Sequence, residues 1–254
     1  FKICQVIILL PFTKWIVKLT YLAVPGEEKT EDAEHELYYI GKTAMFSPTT
    51  AVIEAMMELE HMGALAYENL NRALDALIDL DEKKIDKVYE VEKQINFMNH
   101  AITSYLVRIG QMTLPIDDSK SIGALFHVVN DIERIGDHAE NLADSARNRI
   151  RENISFSGEG LEELKAISEK VNTILGYSID MFAHNSKEHI QDIMELENEI
   201  DEMERQFQKN HVERLTKNEC TAASGMIFSD AISGFERVAD HATNIAYALL
   251  EQVP

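Results

Sequence analysis

The chain has 254 residues, a formal net charge of −20 at pH 7 and 45% hydrophobic residues. A polyanion is repelled by the phosphate backbone, which argues against nucleic acid as a partner, and the apolar content is too high for a disordered chain. The two cysteines, Cys4 and Cys220, are too few for a disulfide framework or a thiolate zinc site. Because proline and glycine are scarce, we expect an all-α protein.

The first segment is apolar. Residues 3–12 (ICQVIILLPF) form a nearly unbroken hydrophobic run, but a helix of that length covers only ~15 Å and cannot cross a bilayer alone. A basic and aromatic set typical of a membrane–water interface follows it: Lys14, Trp15, Lys18 and Tyr21. We predict that residues 1–24 are the end of a transmembrane helix in the cell membrane, and that a linker, residues 25–46, leads to the cytoplasmic side. The alternative is a buried or amphipathic N-terminal helix.

Apolar residues then recur at helical spacing in six stretches. The N-terminal caps expected from the sequence are Ser47 with Pro48, Asp81, Asn185–Ser186 and Thr221. Ile53 and Met57 are assigned to the buried side of the first helix. Long helices joined by short loops pack as antiparallel neighbours. The prediction is therefore two tandem antiparallel three-helix bundles, residues 47–152 and residues 153–254.

The two halves are related by an internal repeat. Residues 133–143 read ERIGDHAENLA and residues 236–246 read ERVADHATNIA, identical at seven of eleven positions. Upstream, EVEKQIN at residues 90–96 corresponds to ELENEID at residues 195–201. The offsets, 103 and 105 residues, differ by a small change in one loop, so an internal duplication is indicated.

Pairs of oxygen-bearing side chains stand four residues apart on four of the predicted helices, and three of the pairs are two carboxylates. The pairs, one of which contains an amide, are Glu92–Asn96, Glu133–Asp137, Glu197–Asp201 and Glu236–Asp240. Residues at this spacing lie one above the other, ~6 Å apart, so two like charges repel each other unless a cation lies between them. In antiparallel bundles the second and third helices, and the fifth and sixth, bring their pairs to the same level. Oxygen ligands of this kind suit Mg, Ca, Mn, Fe or zinc; ordinary solvated faces are an equally open alternative.

Other residues give weaker signals. His138 and His241 follow the aspartates but point away from the carboxylates. This favours an indirect role beside the metal ligands, or a contact between helices, over direct metal binding. Glu58-x-x-His61 is half of a ferritin-like di-iron motif, and no second ExxH stands on another long helix. No nucleotide-binding or catalytic motif is present, so we expect a non-enzymatic protein. A metal-dependent hydrolase or oxidase is the disfavoured alternative.

The paired acidic helices and the two ERxxDHAxN segments resemble the PhoU domain over residues 50–254. The leading ILLPFTKWIVKLTYLAVPG is similar to the last transmembrane helix of bacterial sodium-dependent phosphate cotransporters, a family with a PhoU-like domain at its cytosolic C-terminus. The resemblance implies a regulatory domain of a sodium/phosphate cotransporter that modulates inorganic phosphate uptake. Its partner would be the chain's own N-terminal membrane transport domain, and a homo-oligomer stays open. A freestanding PhoU-like adaptor acting on a membrane partner is the alternative.

The resemblance also implies metal. Some PhoU domains hold multinuclear iron or zinc clusters through acidic pairs of this spacing. Transferred to this chain, the first cluster would use Glu92, Glu133 and Asp137, and the second Glu197, Asp201, Glu236 and Asp240. Asn96 stands where the family pattern has an acid, and an amide brings no charge. We therefore expect the first site to bind metal more weakly or to hold fewer ions.

Overall fold

A computed structural model of the chain describes residues 36–41, 47–112 and 116–248, with the side chains of residues 116–118 left out. All regular structure in these ranges is helical, as predicted. The helices are α1 (Pro48–Asp79), α2 (Glu82–Gly110), α3 (Ile116–Glu152), α4 (Gly158–His184), α5 (Ile190–Thr216) and α6 (Ala222–Ala248).

Local side-chain hydrogen bonds begin and end several of these helices. The Asp81 carboxylate accepts from Lys83 N at 2.9 Å at the start of α2, and Thr221 Oγ1 accepts from Ser224 N at 3.1 Å at the start of α6. Both caps confirm the sequence prediction. Ser47 takes the extended N-cap conformation before Pro48, but its side chain makes no capping bond.

The predicted start of α5 was wrong. Asn185 does not cap α5; it ends α4 in the left-handed conformation, with φ at 47°, which asparagine tolerates better than most residues. Ser186 Oγ accepts from Glu188 N within the connecting turn, and α5 begins only at Ile190. The polar pair therefore ends one helix and forms a turn.

The helices pack in two sets of three. Within α1–α3 and within α4–α6 every helix contacts the other two, and α3–α6 and α1–α4 contacts join the sets. The residues from Leu37 onward belong to one compact unit, so the bundle boundaries at 47–152 and 153–254 stay predictions. The α3–α6 contact brings together the two helices that carry the repeated ERxxDHAxN segments.

The interior is aliphatic, but α1 differs from expectation at two positions. Its buried stripe includes Val52, Leu59 and Met62, whereas Ile53 is 53% exposed and Met57 is 41% exposed. Both residues lie outside the buried stripe, on the exposed face of α1. They were assigned to the core because they are apolar, but at ~100° per residue their positions fall on the exposed face.

The predicted membrane segment, residues 1–24, and most of the linker lie outside the described residues. Within the described ranges, none of the helices has the length and hydrophobicity needed to cross a membrane.

Candidate functional site

The first acid cluster consists of Glu92 from α2 and Glu133, Asp137 and Glu140 from α3. Glu92 is only 2% exposed, and neither of its buried carboxylate oxygens has a hydrogen-bond partner among the residues that the structure describes. An ionised carboxylate in such a place is costly unless a cation or a proton neutralises it. The acids of α2 and α3 therefore lie at the same level of the bundle, as predicted, and Glu92 is the most deeply buried of them.

A glycine creates the room for Glu92. A Cβ atom built on Gly136 would lie 2.5 Å from Glu92 Oε2 and 3.2 Å from Ile95 Cγ2, so a larger residue would collide with the carboxylate. The repeat places Ala239 at the equivalent position of α6. The second half thus lacks this space, and Glu197, the counterpart of Glu92, is only partly buried.

Burial and neighbouring negative charges shift the titration of the first cluster. Burial first, and then Asp137, Glu140 and Glu133, raise the pKa of Glu92 to about 8. Burial and Asp137 also raise the pKa of Glu133, and Arg134 opposes that shift. Arg134 contacts both of its acidic neighbours on the surface side, with Nη1 3.0 Å from Asp137 Oδ2 and Nε 3.7 Å from Glu133 Oε2. Within the described ranges, no basic side chain forms such a contact with Glu92.

The second acid cluster joins α5 and α6. Its members are Glu197, Asp201, Glu204, Glu236 and Asp240. Burial raises the pKa of Glu197, Glu236 and Asp240, and the neighbouring carboxylates raise each of them further. The cluster is shallower than the first, because Asp240 is exposed and Asp201 is within 3.5 Å of Arg205 Nη1.

Comparison with known proteins gives one match in each half of the chain. The PhoU domain family model matches residues 59–146 and 164–249. The chain belongs to the PhoU domain family. It is 28% identical over 186 residues to a phosphate-specific transport system accessory protein PhoU homolog of Pseudomonas aeruginosa, covering 73% of this chain and 76% of the relative.

Two further likenesses extend this assignment. The crystal structure of PhoU from Pseudomonas aeruginosa superposes with a TM-score of 0.75 at 26% identity, covering 82% of this chain and 98% of that one. The putative inorganic phosphate export protein YjbB of Escherichia coli is 20% identical over 254 residues, 99% of this chain, which spans only 46% of that protein. The PhoU fold predicted from the resemblance is thereby confirmed.

The donor atoms of this PhoU domain suit hard or borderline cations, and the orphaned Glu92 carboxylate favours a positive ion beside it. Within the described part of the chain, however, no three His, Cys, Asp or Glu side chains already lie close enough together to hold a metal ion. The acids therefore fit a metal by chemistry, and their side chains would have to converge on it. Asn96, partly exposed one turn beyond Glu92, stays a predicted ligand.

Three residues of these clusters were missed in the sequence. Glu140 lies one turn beyond Asp137 and raises the pKa of Glu92, but the repeat has Thr243 at its counterpart, so it did not stand out. Glu204 lies one turn beyond Asp201 and accepts from Ser233 Oγ at 3.1 Å. In the sequence, Gly136 stood out only as a small residue within the repeat. Its role, which is to leave space for the Glu92 carboxylate, depends on how α2 packs against α3.

Glu58, half of the ExxH motif, has a different role. Its buried carboxylate accepts hydrogen bonds from the backbone N–H groups of Tyr38, Tyr39 and Ile40, at 3.1, 2.7 and 3.2 Å. His61 Nδ1 lies 3.4 Å from the same carboxylate. Glu58 thus fastens the turn before α1 onto the bundle and is satisfied without a metal.

Proposed function

We propose that this PhoU domain regulates phosphate transport. The observation that carries the proposal is the family match across both halves of the chain, on a fold that superposes on a PhoU crystal structure over almost the whole of that protein. Its relatives include accessory proteins of phosphate-specific transport systems. In cells of the source organism, deletion of the gene should alter phosphate flux, and restoring the gene should reverse the change. Unchanged flux in the deletion strain would contradict the proposal.

The first form of this proposal is a freestanding adaptor acting on a membrane partner. The PhoU homologues that the chain resembles are covered for three quarters or more of their length, and the matched crystal structure is covered for 98%. The region matched here thus corresponds to a nearly complete PhoU protein.

The second form is a regulatory domain fused to a sodium/phosphate transporter, held at the cell membrane by its N-terminal segment. It is supported by the likeness to YjbB, which extends over 99% of this chain, and by the apolar residues 3–12. Immunoblotting of the native polypeptide separates the two forms. A membrane-bound band far larger than the 28.8 kDa of this chain supports fusion, and a band of PhoU size supports the adaptor.

We further propose that the two acid clusters bind iron or zinc. Glu92, Glu133 and Asp137, with Asn96, would hold the first site, and the second would use the acids of α5 and α6 named above. A bound cation would neutralise the cluster and relieve the cost of burying Glu92. Treatment with a chelator should therefore lower the melting temperature of the full chain, and Zn²⁺ or Fe²⁺ should restore it. A melting temperature that changes with neither the chelator nor the added metal would contradict this proposal.

A further inference from the structure

The contact between α3 and α6 has an approximate two-fold symmetry that the repeat creates. The two helices run antiparallel, since His241 contacts Asp131 whereas His138 lies opposite Gly234. The repeat offset of 103 residues relates Asp131 to Gly234 and His138 to His241. The two histidine rings meet near the centre, with their centroids 6.0 Å apart.

In one half of this arrangement, a carboxylate forms a hydrogen bond with the histidine. His241 Nδ1 donates to Asp131 Oδ1 at 2.8 Å, and the Asn244 amide lies 3.5 Å from the same oxygen. The Asp131 carboxylate thus satisfies one histidine across the interface between the two sets of helices.

The other half lacks its carboxylate. Gly234 has no side chain, and a Cβ atom there would lie 3.8 Å from His138 Nδ1. Among the residues that the structure describes, His138 has no hydrogen-bond partner. Arg237 likewise has neither an ion pair nor a side-chain hydrogen bond with them, whereas its repeat counterpart Arg134 is within 4 Å of two acids.

The unpaired groups line a single cavity of about 410 Å³, which we call the interbundle cavity. Its wall includes His138, Gly234, Arg237, Asn141 and Ser145. The counterpart cavity on the other side of the pseudo-two-fold axis includes Asp131 in its wall. A guanidinium and an imidazole are both hydrogen-bond donors for oxyanions. Both line the cavity whose wall includes Gly234, the position at which the repeat has Asp131.

We propose that the interbundle cavity binds a small oxyanion, a carboxylate or a phosphate, which takes the place that Asp131 has in the other half. His138 donates a hydrogen bond to it, and Arg237 supplies the positive charge. The ligand would thus contact α3 and α6 together and stabilise the packing of the two sets of helices. The proposal rests on these contacts and does not depend on the role in phosphate transport.

The acidic residues at the far end of the cavity restrict the size and charge of the ligand. Asp144 and Asp230 also line it, and Asp144 accepts from Tyr89 Oη at 2.5 Å. Arg237 and Asp230 are seven residues apart on α6, which separates them by ~10 Å along the helix. A ligand with negative charge at both ends would be repelled at the acidic end, so a compact oxyanion is favoured over an extended polyanion.

The test uses NMR signals of the histidine side chains in the full chain. Inorganic phosphate and acetate are added separately, with chloride keeping the ionic strength constant. We expect saturable shifts at His138 that exceed those at His241. Saturation by phosphate alone would identify a phosphate site, and saturation by acetate as well would identify a general oxyanion site. No saturable shift with either anion would overturn the proposal.

Two variants and one control sharpen the result. Arg237→Gln removes an exposed cation and should weaken binding about tenfold or more, since a charged hydrogen bond contributes ~1.5–3 kcal/mol. Gly234→Asp supplies the missing carboxylate on a Cβ atom that makes only an ordinary contact with His138 Nδ1, at 3.8 Å, and should abolish binding. Asp131→Asn alters only the other half and should leave the affinity unchanged. Unchanged affinity in both Arg237→Gln and Gly234→Asp would overturn the proposal.

Discussion

Glu92 makes the metal-free protein pH-sensitive. Its carboxyl is buried among Asp137, Glu140 and Glu133, which together with burial raise its pKa to about 8 from an ordinary 4.5. The folded state binds a proton at Glu92 more tightly than the unfolded chain does. Below the unfolded pKa the carboxyl is protonated in both states and does not lower the free energy of unfolding. The free energy of unfolding then falls as the pH rises from about 4.5 to about 8.

Glu92→Gln should therefore stabilise the metal-free chain above pH 8, by ~2–4 kcal/mol, because the ionised carboxylate is removed. Below pH 4.5 the variant should have no such advantage. Urea unfolding at several pH values measures the effect, and Glu197→Gln, in the shallower cluster, is the matched control with a smaller change. A Glu92→Gln variant that is less stable than the parent at every pH would contradict the assignment.

Even the smallest substitution at Gly136 should destabilise the protein. Gly136→Ala places a methyl group 2.5 Å from Glu92 Oε2, so we expect overpacking to cost ~1–3 kcal/mol of stability. Gly123→Ala is the control in the same helix. No described residue lies within 4 Å of a Cβ atom built there, and replacing a helical glycine should stabilise the protein by ~0.5–1 kcal/mol. Equal effects of the two substitutions in thermal unfolding would show that Gly136 has no special role.

At the scale of single elements, α1 holds the turn that precedes it. The buried Glu58 carboxylate accepts from three successive backbone N–H groups, of Tyr38, Tyr39 and Ile40. Hydrogen bonds of this type to a charged acceptor are stronger than neutral ones. This side chain therefore fixes where the chain enters the bundle.

Glu58→Gln should release this turn, because an amide offers one acceptor oxygen and turns its own N–H groups toward backbone donors. We expect hydrogen exchange at the amides of Tyr38, Tyr39 and Ile40 to become about tenfold faster or more. Glu60→Gln, on the exposed side of α1, should leave their exchange unchanged. Unaltered exchange in Glu58→Gln would mean that the turn is held by other contacts.

Local signals in the sequence predicted the helices well. Asp81 and Thr221 cap their helices as expected because such bonds depend on neighbouring residues alone. Asn185 was assigned wrongly because asparagine suits both a cap and a left-handed helix end, and the fold decides between them. Ile53 was assigned wrongly because its apolar side chain was counted with the buried stripe, although helical spacing places it on the same face as the exposed Glu60.

The candidate site was predictable in outline. Spacing at four residues placed Glu133 above Asp137, and antiparallel packing brought Glu92 to them. The depth of Glu92 was not predictable, because it depends on the space beside Gly136 in a neighbouring helix. From the sequence, Asn96 made the first site seem the weaker one, whereas the structure gives it the more deeply buried acid.

At the scale of the whole molecule, the duplicated halves have diverged at matched positions. Gly136 and Ala239 distinguish a deep acid cluster from a shallow one. Gly234 and Asp131 distinguish the interbundle cavity, which lacks a carboxylate at that position, from its counterpart, which has one in its wall. The repeat thus preserves the PhoU fold while the two halves offer different sites. We expect the two acid clusters to make unequal contributions to metal binding.

Elemental analysis of the full chain, purified without chelator, tests the central claim that the acid clusters bind metal. The parent is compared with Glu133→Ala/Asp137→Ala, with Glu236→Ala/Asp240→Ala and with the control Glu60→Gln. We predict stoichiometric iron or zinc in the parent and the control, and a loss from each double variant that differs in size between them. A metal-free parent, or metal that both double variants retain in full, would contradict the claim.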